Sequence, residues 1–234
     1  MNLIIEYFNS SNHMRNGEYL YCLHENIGNE YIQNVYVFME EDSELNFDSP
    51  KIKRIVRKTR PTYKEIFDFC NENHSGDICI VANADIIFDE TIRYFNSIDM
   101  KKTFYALSRW EISTNDGKNW EIEPFDNAAS QDSWIFRAPI PTMEDMNYTM
   151  GKPGCDNKIT YQMRELEYMV RNPGKKVVTI HFHPTNFRTY DWKDDRVPGP
   201  YLLVSPVDNF TGEPVYFDVD GFDNQGQPYK IQKV

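Results

Sequence analysis

Residues 77–90 read DICIVANADIIFDE, and this stretch decides the fold. Ile78-Cys79-Ile80-Val81-Ala82 is an unbroken apolar run of strand length, the pattern expected of a parallel strand covered on both faces. It runs directly into Asn83-Ala84-Asp85. In open α/β sheets ligands collect at the carboxyl ends of the strands, so Asp85 stands where a site is expected. Asp89 precedes the helical run Glu90–Phe95 and reads as its N-cap, the bland role that an aspartate at a helix start most often has.

Outward from this strand, short β-rich runs alternate with helical patterns. On the amino-terminal side, Leu3–Phe8 reads as a first strand, residues 16–29 as a loosely patterned helix, and Val35–Met39 and Ile52–Arg57 as further strands. Pro61 then precedes Thr62, Glu65 completes a capping box, and Tyr63, Ile66, Phe67 and Cys70 repeat at helical spacing, which predicts a helix lying on the sheet. On the carboxyl side, Thr103–Ser108 and Ser133–Arg137 read as strands, with a Trp-, Asn- and Asp-rich loop between them. A helix is expected from near Asp156, with Ile159, Met163, Leu166 and Met169 on one face, ending before Asn172-Pro173-Gly174. A strand over Lys176–Phe182 leads into His181-Phe182-His183. The expectation is an α/β protein with a mixed, mainly parallel sheet flanked by helices: one domain over residues 1–193 and an irregular carboxyl-terminal extension over 194–234 packed on it.

The chain has 234 residues, 40% hydrophobic and 15% aromatic, enough to bury a full core. A formal charge of −11 opposes nonspecific nucleic-acid binding, which needs clustered Lys and Arg. An anionic ligand would therefore need a local cation. The four cysteines, Cys22, Cys70, Cys79 and Cys155, show no CxxC spacing and read as reduced and structural. MNLIIEYF is too short for a signal peptide and no stretch approaches the ~18 apolar residues of a membrane span, so a soluble, cytoplasmic protein is expected.

A carboxylate at a strand end is a hard ligand for Mg²⁺ or Mn²⁺, ions that neutralise a leaving diphosphate. A phosphatase built on two aspartates at this place is excluded, because the nucleophile's position is Asn83, an amide that cannot attack phosphorus. His181 and His183 are candidates to complete a metal site, with one of them expected to look into it. Asp156 falls at a helix start after Gly151-Lys152-Pro153-Gly154; it reads either as a plain cap or as a base for an acceptor hydroxyl, with Asp132 the second choice for that base. Trp110, Trp120 and Trp134 are the aromatic candidates for stacking on a sugar, Trp134 being better explained as core. Arg60, after the third strand, and Arg188, after the histidines, are candidates for contact with the nucleotide or its phosphates.

RPTYKEIFDFCN (60–71), ICIVANADIIFDE (78–90), FYALSRWE (104–111), SQDSWIFRAP (130–139), GKPGCDNKITYQM (151–163) and HFHPTNFR (181–188), in this order, resemble GT-A glycosyltransferases. The resemblance is to a small family-2-like branch found in bacteria and large DNA viruses, a chlorella-virus enzyme among them. It implies a GT-A-like fold with a Rossmann-like amino-terminal half and a nucleotide-diphosphate sugar donor, UDP-sugar favoured. It also implies a divalent metal, Mn²⁺ or Mg²⁺, and inverting transfer to a hydroxyl-bearing acceptor such as a glycan. Asn83-Ala84-Asp85 stands where the family has its DxD motif, with Asp85 the metal-binding member and Asn83 a departure. Asp156 matches the base aspartate at a helix start, and the pair His181/His183 the late histidine of the metal site. Two rivals remain: a sugar nucleotidyltransferase, for which residues 8–17, FNSSNHMRNG, lack the basic glycine-rich loop, and a sugar- or nucleotide-binding protein of the same fold that has lost activity.

Overall fold

Alternating side chains along the first strand already divide the molecule into layers. In β1 (Asn2–Tyr7) every residue is buried; Leu3, Ile5 and Tyr7 belong to one apolar cluster and Ile4 to another. Successive strand residues point to opposite faces, so a strand with both sets buried must be covered on both sides. The computed structural model describes all residues except 42, 115–119, 189, 192, 224–227, 230 and 234, together with the side chains of residues 114 and 120. Trp120, a stacking candidate, therefore lies outside the described side chains.

In chain order, α1 (His13–Gly28) follows β1, then β2 (Asn34–Glu40), β3 (Ile52–Arg57), α2 (Tyr63–Asn73), β4 (Ile78–Ala82) and β5 (Ile86–Phe88). Next come β6 (Thr103–Leu107), β7 (Trp110–Thr114), β8 (Trp120–Pro124), β9 (Ser133–Arg137), α3 (Cys155–Glu165), β10 (Met169–Arg171) and β11 (Thr179–His181). The short strands β12 (Tyr201–Val204), β13 (Tyr216–Val219), β14 (Gly221–Phe222), β15 (Pro228–Tyr229) and β16 (Gln232–Lys233) complete the chain. A seven-stranded sheet runs β10-β6-β9-β4-β1-β2-β3. Its pairs are parallel except for β9, which lies antiparallel between β4 and β6. This is the mixed, mainly parallel sheet expected. Tyr19 and Leu23 of α1 pack on one face; Tyr63, Ile66, Phe67 and Cys70 of α2 and Ile159 and Met163 of α3 pack on the other. The capping box of α2 is present, with Thr62 accepting from Glu65 and Glu65 from the Thr62 backbone, and Asp89 caps a short 3-10 helix over Glu90–Asn96. All four cysteines are free and buried.

A second sheet, β5-β11-β7-β8, matters most for the site. Its register sets His181 beside both Ile86 and Glu111, and so brings the residue after Asp85, the histidine strand and β7 to one place.

Three expectations are corrected here. The Trp-rich segment after Leu107 contains the hairpin β7–β8. The helix at 155 stops at Glu165: Glu167 takes a left-handed conformation (φ 61°), which reverses the chain, and Met169, 40% exposed, opens the edge strand β10 instead of continuing the helical face. The strand before the histidines is only three residues long. The segment after Asp194 carries short strands, and Leu202 and Val204 of β12 join the same cluster as α2 and α3. Among the described residues no helix is long and apolar enough to cross a membrane.

Candidate active site

A cavity of about 360 Å³ opens at the carboxyl ends of β1 and β4 and is lined also by the loop that starts α3. Asn83, Ala84, Asp85, Asp132, Asp156, Arg60, Arg188, His181 and His183 all line it. Trp110 does not. It sits between Arg109, which reaches the cavity, and Glu111, which turns toward His181, so the alternation of an extended chain sends its ring the other way; its Nε1 donates to the Gly174 carbonyl at 2.7 Å. Trp134 borders the cavity but is fully buried core, packed edge-on against Tyr63.

Asp85 is buried, with its carboxylate at the rim of the sheet. One oxygen, Oδ2, accepts from Arg15 at 2.5 Å and lies 3.4 Å from His181 Nε2. Burial works against its charge, but His181 and then Arg15 outweigh it and hold the carboxyl well below the usual range. The other oxygen, Oδ1, is buried with no hydrogen-bond partner among the described residues. Such an orphaned acceptor is costly unless something occupies it. Asp85, His181 and His183 each offer a ligand atom, all within 4.8 Å of one another. One carboxylate and two imidazoles fit a divalent cation, and the nitrogen ligands suit Mn²⁺ better than Mg²⁺. Both histidines face the cavity rather than one: residues two apart on an extended chain share a face, and the strand ends at His181, leaving His183 free to turn so that the rings meet edge-on at 5.4 Å.

Arg15 was not visible in the sequence. It sits in the first turn of α1, buried, and bonds Glu18 at 2.6 Å and the Tyr19 hydroxyl at 3.0 Å besides Asp85. His181 is pushed up to about 9: burial favours the neutral ring, but the hydrogen bonds to Asp85 and Glu111 prevail.

The two carboxylates read as candidate bases, both lining the same cavity, differ sharply. Asp132 accepts from the Asn83 amide at 3.1 Å, from the Ser130 hydroxyl at 3.1 Å and from Arg109 at 3.3 and 3.4 Å. Asp156, in the first turn of α3, does not cap the helix; Gly154 holds that position, with φ 79°. No ion pair involves Asp156 among the described residues. Burial, then the charge of Asp132, pushes it up to about 7. Asp132 is thus held by a cation and an amide, whereas Asp156 is able to take a proton near neutrality. Arg60 is held in the cavity by a two-pronged pair with Glu6 and a bond to the Met150 carbonyl at 2.9 Å. Arg188 reaches the Tyr190 hydroxyl.

No family model matches the chain, and no curated protein matches it. Solved structures do. A mannosyltransferase from Pyrobaculum calidifontis, in complex with GDP-Man and Mn²⁺, is 12% identical with a TM-score of 0.46, over 79% of this chain and 57% of that one. A Bacillus anthracis protein described as a glucose-1-phosphate thymidylyltransferase, in complex with a sucrose, is 11% identical with a TM-score of 0.44, over 73% of this chain and 86% of that one. The S. aureus protein TarS, residues 1–349 with UDP-GlcNAc, is 9% identical with a TM-score of 0.39, over 58% of this chain and 44% of that one.

Proposed function

We propose that this chain is a glycosyltransferase that moves a sugar from a nucleotide-diphosphate sugar to a hydroxyl acceptor, with inversion. The observation that carries the reading is Asp156: a carboxyl without an ion-pair partner among the described residues, raised to about 7, lining the same cavity as the group Asp85, His181 and His183. That pairing in one cavity, a base near neutral pH and a cation-binding group, suits a direct displacement at an anomeric carbon.

In the reaction Asp156 takes the proton from the acceptor hydroxyl. The acceptor oxygen forms its bond to the anomeric carbon as the bond from that carbon to the diphosphate oxygen breaks, and the electron pair leaves with the nucleoside diphosphate. The charge of Asp132, paired with Arg109, helps keep Asp156 basic. Asp85, His181 and His183 would hold a divalent ion, Mn²⁺ in preference to Mg²⁺, whose charge stabilises the leaving diphosphate. Arg60 and Arg188 face the same space and supply donors for phosphate oxygens. UDP-sugars are the first donors to test, and a glycan the first acceptor.

A second reading, a nucleotide-sugar binder that has lost transfer, draws on Asn83 in the acidic motif and on Arg15 already neutralising Asp85. Calorimetry with UDP-sugars and GDP-sugars, with and without Mn²⁺, and a donor-hydrolysis assay separate the two. Metal-dependent binding with slow hydrolysis is expected of the transferase. Binding without any turnover would leave the binder, and no binding of any nucleotide sugar would end both readings.

A further inference from the structure

Behind His181, outside the cavity lining, lies a carboxylate that the proposed reaction does not use. Glu111 places Oε2 at 3.2 Å from His181 Nδ1, while its Oε1 accepts from Arg109 Nε at 2.6 Å. Arg109 continues to Asp132, Asp132 to the amide of Asn83, and Asn83 stands two residues before Asp85, whose Oδ2 faces the other nitrogen of His181. From Asp132 through Arg109, Glu111 and His181 to Asp85 the contacts form a chain in which carboxylates alternate with cationic groups. Its geometry is fixed by backbone pairing, since Glu111 of β7 lies across from His181 of β11 in register.

An imidazole can turn and can carry its proton on either nitrogen; what binds one nitrogen decides what the other can do. We propose that Glu111 is a positioning residue: it grips His181 through Nδ1, keeps Nε2 directed at Asp85, and thereby sets the affinity of Asp85, His181 and His183 for a divalent cation. This rests on the reading of that group as a metal site given above. Glu111 is not among the residues lining the cavity, and its side chain is 37% exposed, so its loss removes little packing and its effect on a cation is separable from an effect on folding.

The test uses the full chain and Mn²⁺ alone, with free Mn²⁺ counted by electron paramagnetic resonance. Glu111→Gln, which keeps the shape and removes the charge, should weaken Mn²⁺ binding about 10- to 100-fold. Its melting temperature without metal should stay near that of the parent protein. Glu111→Asp, which restores the charge on a shorter stem, should fall between the two. Glu123→Gln, on the strand position paired with Glu111 in the hairpin, should bind as the parent does. Affinity in both Glu111 variants within twofold of the parent would overturn the proposal, as would a parent protein that binds no Mn²⁺. Weakened Mn²⁺ binding in a chain that binds no nucleotide sugar would keep the positioning role and reject the transferase reading.

Discussion

Asp132 and Asp156 are the same residue type on one wall of one cavity, and their surroundings give them opposite roles. Arg109, Asn83 and Ser130 occupy the oxygens of Asp132, whereas Asp156 is raised by burial and by its neighbour's charge. Asp156→Asn should therefore cut transfer by about 10²- to 10⁴-fold, the usual worth of a positioned base, while donor binding by calorimetry stays within a few-fold. A base is active when deprotonated, so kcat/KM should fall as pH drops below about 7. Asp132→Asn removes the neighbouring negative charge, makes Asp156 easier to ionise, and should move that acidic limb to lower pH. A limb that stays in place in the Asp132 variant would break the electrostatic link between the two carboxyls. Asp85 was legible because an apolar strand delivers it to the sheet rim. Arg15 and Glu111 were not, because they reach the site through helix packing and strand pairing between segments far apart in sequence, and no local period encodes those contacts.

At the level of elements, the loop that starts α3 lines the cavity and depends on one backbone conformation. Gly154 has φ 79°, and a Cβ there would lie 2.9 Å from the Tyr201 ring and 3.3 Å from the Val197 carbonyl. The left-handed conformation costs a non-glycine residue about 1–2 kcal/mol, and crowding a packed site about 1–3 kcal/mol more. Gly154→Ala should lose stability on that scale in urea denaturation. Gly17, inside α1 with nothing within 4 Å of an added Cβ, provides the contrast: Gly17→Ala should gain about 0.5–1 kcal/mol from helix propensity. Equal effects at the two glycines would mean that the loop tolerates the change by moving. The regular elements α2, β3 and β9 were readable because capping chemistry and periodicity are local. The β7–β8 hairpin was not, because its alternating runs, Trp110 to Ser113 and Trp120 to Glu123, are only four residues long and lie in a segment dense in the loop formers Asn, Asp and Gly; β7 pairs with β11 and β8 on either side.

Over the whole molecule, the carboxyl-terminal segment is tied to the cavity from both sides. Tyr201 of β12 presses on the loop holding Gly154 and donates its hydroxyl to the Val197 carbonyl at 2.5 Å. Leu202 and Val204 enter the cluster that contains Ile159 and Met163 of α3, and Arg196 and Phe222 line the cavity. A segment that supplies core to the helix bearing Asp156 should not unfold independently of it. Leu202 is fully buried, and removing such a side chain costs about 2–5 kcal/mol. Leu202→Ala should lower the stability of the entire chain by that amount, in one transition seen together by tryptophan fluorescence and by far-ultraviolet circular dichroism. Nucleotide-sugar affinity should fall only as the unfolded fraction grows. Two separated transitions, with the parallel sheet surviving the first, would mean that residues after 194 fold as a unit of their own and that the wall bearing Asp156 stands without them.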